Sequence, residues 1–437
     1  MSSPFCNIQD VVNDGACHGC GVCAGICSTN AIFMDGSSPY EGYFPKVNSE
    51  KCIGCSNCLE VCPAINWTNS PILGDNNGLM QYAYDTGSWY KVYAACSSET
   101  QARYDSASGG FTTTLLVALL ESGRITGAIV TRRCKDDPLK SEVVIVKTSA
   151  EIRESRGSVY SPTHFGDVLQ QLMRIEASER LAVVGLPCHL QGIELAVKCI
   201  PRLNSLFKYK ISLVCGHAPL GAGYYFSMGK LGIKYDQVLE IRNRGDGWPG
   251  YLRFVMNDGR IIKVPHGSPF SWGLALSSPL FTPRGCHVCP DATGFQADIS
   301  TCDAWLPRFR QKDNHGMNLV LTRNLELDDF INTQANESGV FVLTNMSIDD
   351  LRRSAKSVIH RKMVSRPLGE KILLRSARKY HANVLDNPIK GYKIHLLSVI
   401  YYVNIRLANV LGINKWVKVF GKPLLYYFKI MKYLNER

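Results

Sequence analysis

The 437-residue chain is 45% hydrophobic and 20% charged, long enough for a sizeable core and at least two domains, which excludes a small disulfide-stapled scaffold. Its 17 cysteines fall largely into tight ligand spacings, and Met1 to Asp10 has neither a basic nor an apolar leader stretch, so metal-bound thiolates in a reducing cytoplasm are expected. The formal net charge of +12 gathers mostly beyond Leu385, in a tail, and no nucleic-acid partner is expected.

Residues 1–70 are cysteine-dense. Cys17, Cys20 and Cys23 precede Cys27 with two, two and three residues between them, and Cys52, Cys55, Cys58 and Cys62 repeat the spacing, with Pro63 directly after. This is the double run of a bacterial two-cluster ferredoxin: three thiolates wrap one cubane while the fourth reaches the other. Cys17, Cys20, Cys23 and Cys62 are thus expected to hold one 4Fe-4S cluster, and Cys52, Cys55, Cys58 and Cys27 a second. Zinc sites favour C-x2-C pairs over triplets with an outlying fourth. Gly19, Gly21, Gly25 and Gly54 let the backbone approach the sulfides. Two neighbouring clusters make a wire, which implies a redox partner at each end.

Residues 71–90 have the turn-rich composition of a linker. From Lys91 strand-like runs (Lys91 to Cys96, Ile125 to Val130, Glu142 to Lys147, Leu181 to Leu186, Ile211 to Val214) alternate with helical stretches (Gly109 to Leu120, His164 to Ile175, Cys188 to Val197), which predicts an α/β body over 91–385. Tyr251 to Met256 and Arg260 to Val264 read as a hairpin across Asn257-Asp258-Gly259, and Asp298 to Trp305 as a further strand. No apolar run is long enough to span a bilayer. The tail, 386–437, sets Tyr401, Tyr402, Trp416, Phe420, Tyr426, Tyr427 and Phe428 among lysines, so it is expected to lie as an interfacial helix on an anionic membrane surface, at the inner face of the membrane.

Five short motifs recur along the body: Ser106-Ala107-Ser108-Gly109-Gly110 before a helix; Leu186-Pro187-Cys188-His189; Val214-Cys215-Gly216-His217; Arg244-Gly245-Asp246-Gly247-Trp248; and Cys286-His287-Val288-Cys289 followed by Cys302-Asp303-Ala304-Trp305. In this order they resemble the family of coenzyme F420 hydrogenase/dehydrogenase β-subunits, related to 7-hydroxymethyl chlorophyll a reductase, over about residues 10–365. The resemblance implies a mixed α/β flavoprotein body behind the ferredoxin-like domain. It further implies FAD at Ser106, Ser108, Gly109, Gly110 and Asp303, and a third cluster on Cys188, Cys215, Cys286 and Cys289. Bottom-up, the glycine turn feeds a helix N-terminus suited to a pyrophosphate, and Arg242 and Arg244 beside Trp248 form a candidate anion clamp. His164, His189, His217, His266, His287 and His315 are candidate acids.

The expected function is an FAD and 4Fe-4S oxidoreductase that takes electrons from a ferredoxin-like donor and reduces a small organic substrate, in surface-polysaccharide synthesis. The alternatives are an electron-transfer or deazaflavin-reacting subunit of a larger dehydrogenase, or a non-catalytic iron–sulfur scaffold.

Overall fold

The computed structural model describes residues 5–37, 42–67, 79–176, 178–273, 275–310 and 314–374. The basic aromatic tail and its expected membrane contact lie outside the described residues.

Asn7 caps the first helix, Ile8–Asp14: its side chain accepts the Gln9 N–H while the Asp10 carboxylate accepts those of Cys6 and Asn7. Gly15 stops the helix at φ 92°, a left-handed conformation that glycine adopts cheaply. Each cysteine loop then feeds a one-turn helix, Val22–Gly25 in the first and Asn57–Glu60 in the second. Between them β1 (Ile32–Asp35) and β2 (Phe44–Val47) form an antiparallel pair.

The linker expected over 71–90 is not a linker at its far end. There β3 (Gln81–Ala83) and β4 (Gly87–Trp89) form a hairpin, with Thr86, Ser88 and Trp89 buried. The polar, glycine-rich composition serves a tight turn held from inside: the buried Arg323 guanidinium donates to the Thr86 carbonyl at 3.0 Å.

The body is built on eight strands: β5 (Lys91–Ser97), β6 (Gly127–Arg133), β7 (Ser141–Val146), β8 (Leu181–Gly185) and β9 (Phe207–Leu213), then, after β10 (Val238–Arg242), β11 (Tyr251–Met256) and β12 (Ile261–Pro265), which form their own antiparallel sheet, β13 (Ile299–Asp303), β14 (Asn318–Thr322) and β15 (Phe341–Met346). The eight-stranded order is β15-β5-β14-β13-β9-β8-β6-β7. The centre, β13-β9-β8-β6, is parallel, and β7, β14, β5 and β15 add antiparallel pairs, for example Asp303 opposite Asn318. The predicted α/β class and hairpin are present, and β10, β14 and β15 complete the sheets.

Alternation along the strands separates two cores. In β8, Leu181 and Val183 face one core and Ala182 the other; in β5, Tyr93 and Ala95 join the Ala182 side while Val92, Ala94 and Cys96 point away. Helices Phe111–Glu121 and Leu325–Asn336 cover the Ala182 face. On the Leu181 face, helices Gly166–Leu172 and Pro187–Cys199 share one continuous apolar core with the ferredoxin-like module, in which Ile8, Val11, Val22, Leu59 and Val61 pack with Leu169, Leu190 and Ile193. The Phe165 N–H donates to the Cys20 carbonyl at 2.8 Å, and the Gln170 amide donates to that of Ala24 at 3.3 Å. The module is therefore fixed to the body by burial and by its own cysteine loop.

Candidate functional site

The parallel strands end at one edge of the sheet. Because β5 and β13 both run antiparallel to β14, they are parallel to each other, so the turn after β5, the segments after β8 and β9, and Asp303 at the end of β13 share that edge. This is where open α/β sheets place ligands.

Two of the expected body cysteines arrive there by strand geometry. The chain leaves β8 through Leu186 and enters a helix at Pro187, whose missing N–H costs nothing in a first turn, placing Cys188 at its second residue. It leaves β9 through Val214, and the Cys215 N–H donates to the Ala292 carbonyl at 2.8 Å. Cys286 sits in the short helix Arg284–Val288, and Cys289 follows it. Cys188, Cys215, Cys286 and Cys289 line one cavity with His18, Asp291 and Lys362. Burial pushes the Cys215 thiol up to about 12, and pushes those of Cys188 and Cys289 up as well. The Asp291 carboxylate accepts the N–H groups of Thr293, Gly294 and Phe295, each at 2.7 Å, so it is engaged by the backbone beside the four sulfurs.

A second cavity is lined by Cys17, Cys20, Cys23 and Cys62, with His18 on its wall as well. Cys62, the fourth cysteine of the second run, thus lines the cavity of the first. The same exchange brings Cys58 within electrostatic reach of Cys52, Cys55 and Cys27. This last set is the outermost: Cys55 is exposed, and Cys52 and Cys27 are half-buried.

The three sets adjoin in series. Cys23 interacts electrostatically with Cys58, Cys188 with Cys20, and Cys17 with Cys286. Among the described residues no three His, Cys, Asp or Glu side chains converge on a point suited to a single metal ion. Tetrahedral zinc requires sulfurs about 3.8 Å apart, whereas a cubane holds its four thiolates on the corners of a larger body. Four thiols lining one cavity are a donor set of the kind a cubane takes.

The residues expected to hold FAD are brought to the sheet edge, but their side chains are committed within the protein. Ser106 Oγ donates to the Ala102 carbonyl at 2.6 Å and Ser108 Oγ to that of Met317 at 2.8 Å. Gly109 is required for close packing, since a Cβ there would lie 2.9 Å from Cys96 Cβ, and Gly110 by its φ of 74°. Asp303 Oδ2 accepts from Arg244 Nη2 at 2.9 Å and from the Trp248 indole at 3.4 Å.

The expected anion clamp is therefore corrected. Arg244 is buried and also donates to the Pro249 and Ala107 carbonyls and the Tyr160 hydroxyl, while Arg242 pairs with Glu240. Several of the candidate acids are also held neutral. His189 accepts the Leu186 N–H at Nδ1 and donates from Nε2 to the Thr163 carbonyl, and burial lowers its pKa to about 4; His217, between Arg361 and the Leu276 carbonyl, is lowered to about 3. Nothing in the sequence marks Lys362 or His18 as cavity residues: a lone lysine in a helical stretch and a histidine inside a cysteine loop carry no spacing signal.

Residues 16–65 match the model of a 4Fe-4S dicluster domain. Residues 92–170 match that of the coenzyme F420 hydrogenase/dehydrogenase beta subunit N-terminus, and residues 178–348 that of its C-terminus. The chain belongs to the family of coenzyme F420 hydrogenase/dehydrogenase beta subunits. It is 25% identical over 302 residues to the coenzyme F420 hydrogenase subunit beta of Methanothermobacter thermautotrophicus, covering 64% of this chain and 98% of that one. It is 23% identical over 309 residues to a subunit of the F(420)H(2) dehydrogenase of Methanosarcina mazei (69% and 79% covered), and 24% identical over 309 residues to the coenzyme F420-dependent sulfite reductase of Methanocaldococcus jannaschii (67% and 43%). Among solved structures, the F420-reducing [NiFe] hydrogenase complex from Methanosarcina barkeri aligns over 65% of this chain and 93% of its own, at a TM-score of 0.49 and 22% identity. Family membership and the dicluster match make the chain an iron–sulfur electron-transfer protein of an oxidoreductase-subunit family. The names of these relatives carry F420, a deazaflavin; FAD and polysaccharide synthesis, both expected from the sequence, are absent from them. Among the described residues no helix is long and apolar enough to cross a membrane.

Proposed function

We propose that the chain is the deazaflavin-reacting, electron-transferring component of an F420-linked oxidoreductase, joining a partner protein at the dicluster domain to a hydride carrier at the sheet edge. One observation carries this: three four-cysteine sets adjoin in series, from the outer Cys52, Cys55, Cys58 and Cys27, through Cys17, Cys20, Cys23 and Cys62, to Cys188, Cys215, Cys286 and Cys289 at the carboxyl edge of the strands. Each set holds one 4Fe-4S cluster. As free thiols the buried cysteines stay neutral, and metal binding deprotonates them outright.

Relatives named for an F420 hydrogenase, an F420H2 dehydrogenase and an F420-dependent sulfite reductase favour this over a free-standing enzyme of polysaccharide synthesis. FAD is the finer part of the proposal: clusters pass single electrons and a hydride carries two, and a flavin bound in the crevice supplies that conversion. With the side chains of Ser106, Ser108 and Asp303 engaged inside the protein, the hold on FAD there falls to the backbone of the Gly109-Gly110 turn.

Anaerobically purified protein mixed with reduced F420 tests the proposal. Oxidation of the coenzyme, read by absorbance, is expected together with cluster reduction, read by electron paramagnetic resonance. Clusters that dithionite reduces but reduced F420 does not would overturn it.

A further inference from the structure

Lys362 lies beyond residue 348, where the family match ends, on the π-helical turn Arg361–Ser365. Only 2% of it reaches solvent. Its ammonium donates to the Cys286 carbonyl at 3.0 Å and lines the cavity of Cys188, Cys215, Cys286 and Cys289. Burial works against its charge, and Cys289, Cys286 and Cys215 stand near enough to act in its favour, with Arg361 opposing. Arg361 itself turns away, its guanidinium 2.8 Å from His217 Nδ1, and the carboxylate on the same wall, Asp291, is bound by three backbone N–H groups.

A buried ammonium is costly unless an anion stands beside it. Neutral thiols do not offset that cost, whereas thiolates bound to a cluster do. The lysine stands on a π-turn, and such insertions concentrate at functional sites.

We infer that Lys362 is a built-in counter-cation of the cluster held by Cys188, Cys215, Cys286 and Cys289, raising its reduction potential above the value the same four thiolates would give alone; the inference rests on the third cluster proposed above. One electron arrives from a reduced 4Fe-4S cluster of the dicluster domain, no bond is made or broken, and no proton moves. The accepting cluster gains one unit of negative charge, so a fixed cation beside it favours the reduced form. Electrons are thereby drawn inward, from the exposed module toward the sheet edge.

The test is a redox titration of anaerobically purified full-length protein, followed by electron paramagnetic resonance, with iron content measured alongside. In Lys362→Met one midpoint potential moves negative by about tenfold in the one-electron equilibrium, about 59 mV, while the others stay and Lys362→Arg keeps the wild-type value. Loss of one cluster's iron in Lys362→Met but not in Lys362→Arg supports the same role. Roughly 12 iron atoms per chain with unmoved potentials in Lys362→Met overturns it, as does equal iron loss in both variants. Roughly 8 iron atoms in the wild type overturns the third cluster itself, and the inference with it.

Discussion

Arg244 and His266 sit together at the sheet edge, and their burial fixes what each can do. Arg244 fills its planar fork with Asp303, two carbonyls and a hydroxyl, so it braces the crevice wall and has no arm left for an anion. His266 packs between Trp305, at 5.4 Å between ring centroids, and Trp272, at 6.3 Å. Desolvation, helped by the Arg244 cation, lowers the His266 pKa from 6.5 to about 4. The folded protein leaves this ring unprotonated down to about pH 4, while the unfolded chain takes up the proton below about pH 6.5. Its contribution is therefore whole above pH 6.5 and is lost on acidification toward 4. Between pH 7.5 and 5.5 the wild type should lose about 1 kcal/mol more stability than His266→Gln, read from urea midpoints; equal losses would remove His266 from the acid response. Neither arrangement is legible in the sequence. Arg244 and Asp303 lie 59 positions apart, and their pairing is made by tertiary structure.

At the scale of elements, the contact between the helix Arg284–Val288 and the first cysteine loop joins module to body. A Cβ on Gly285 would lie 2.1 Å from the Cys17 carbonyl oxygen, a backbone atom with no rotamer to yield. Gly285→Ala must push the two cysteine-bearing segments apart. It should cost about 1–3 kcal/mol and slow electron passage from the dicluster domain into the body. Gly229→Ala, in the helix Gly221–Leu231 with no neighbour within 4 Å of its Cβ, is the control and should stabilise by about 0.5–1 kcal/mol. Urea midpoints of the two variants moving in the same direction would contradict this account. Local signals served the elements that obey them: β5, β8 and β11 fall where their apolar runs and flanking turns put them. The dicluster domain over residues 16–65 was legible because ligand spacing is itself local chemistry. The hairpin β3–β4 was read as linker because turn residues look alike whether a turn is solvated or pinned by a buried arginine from residue 323. The start of β9 carries no clear strand signal, because Lys208 and Lys210 interrupt the apolar run on either side of the buried Tyr209.

Taken as a whole, the molecule runs from an outer cysteine set that reaches solvent at Cys55, through the buried set of Cys17, Cys20, Cys23 and Cys62, to the set at the sheet edge, where Cys289 is buried and Cys188, Cys215 and Cys286 are half-buried. On the proposed function, a one-electron protein donor, too large to enter the body, meets the outer set, and a hydride carrier meets the crevice where strands β5, β8, β9 and β13 end. Polarity of this kind is separable by mutation, since the two entrances lie on different segments of the chain. Cys55→Ala should lose electron uptake from a reduced ferredoxin-type protein yet keep exchange with reduced F420. Cys286→Ala should do the reverse, with the dicluster domain still reducible from outside. Each variant should fall from roughly 12 to roughly 8 iron atoms per chain, so that loss of a cluster is verified independently of the kinetics. Stopped-flow mixing with each reductant in turn reads the result. If Cys286→Ala exchanges electrons with reduced F420 as fast as the wild type, the inner set is not on the route and the coenzyme reaches the clusters from the module side.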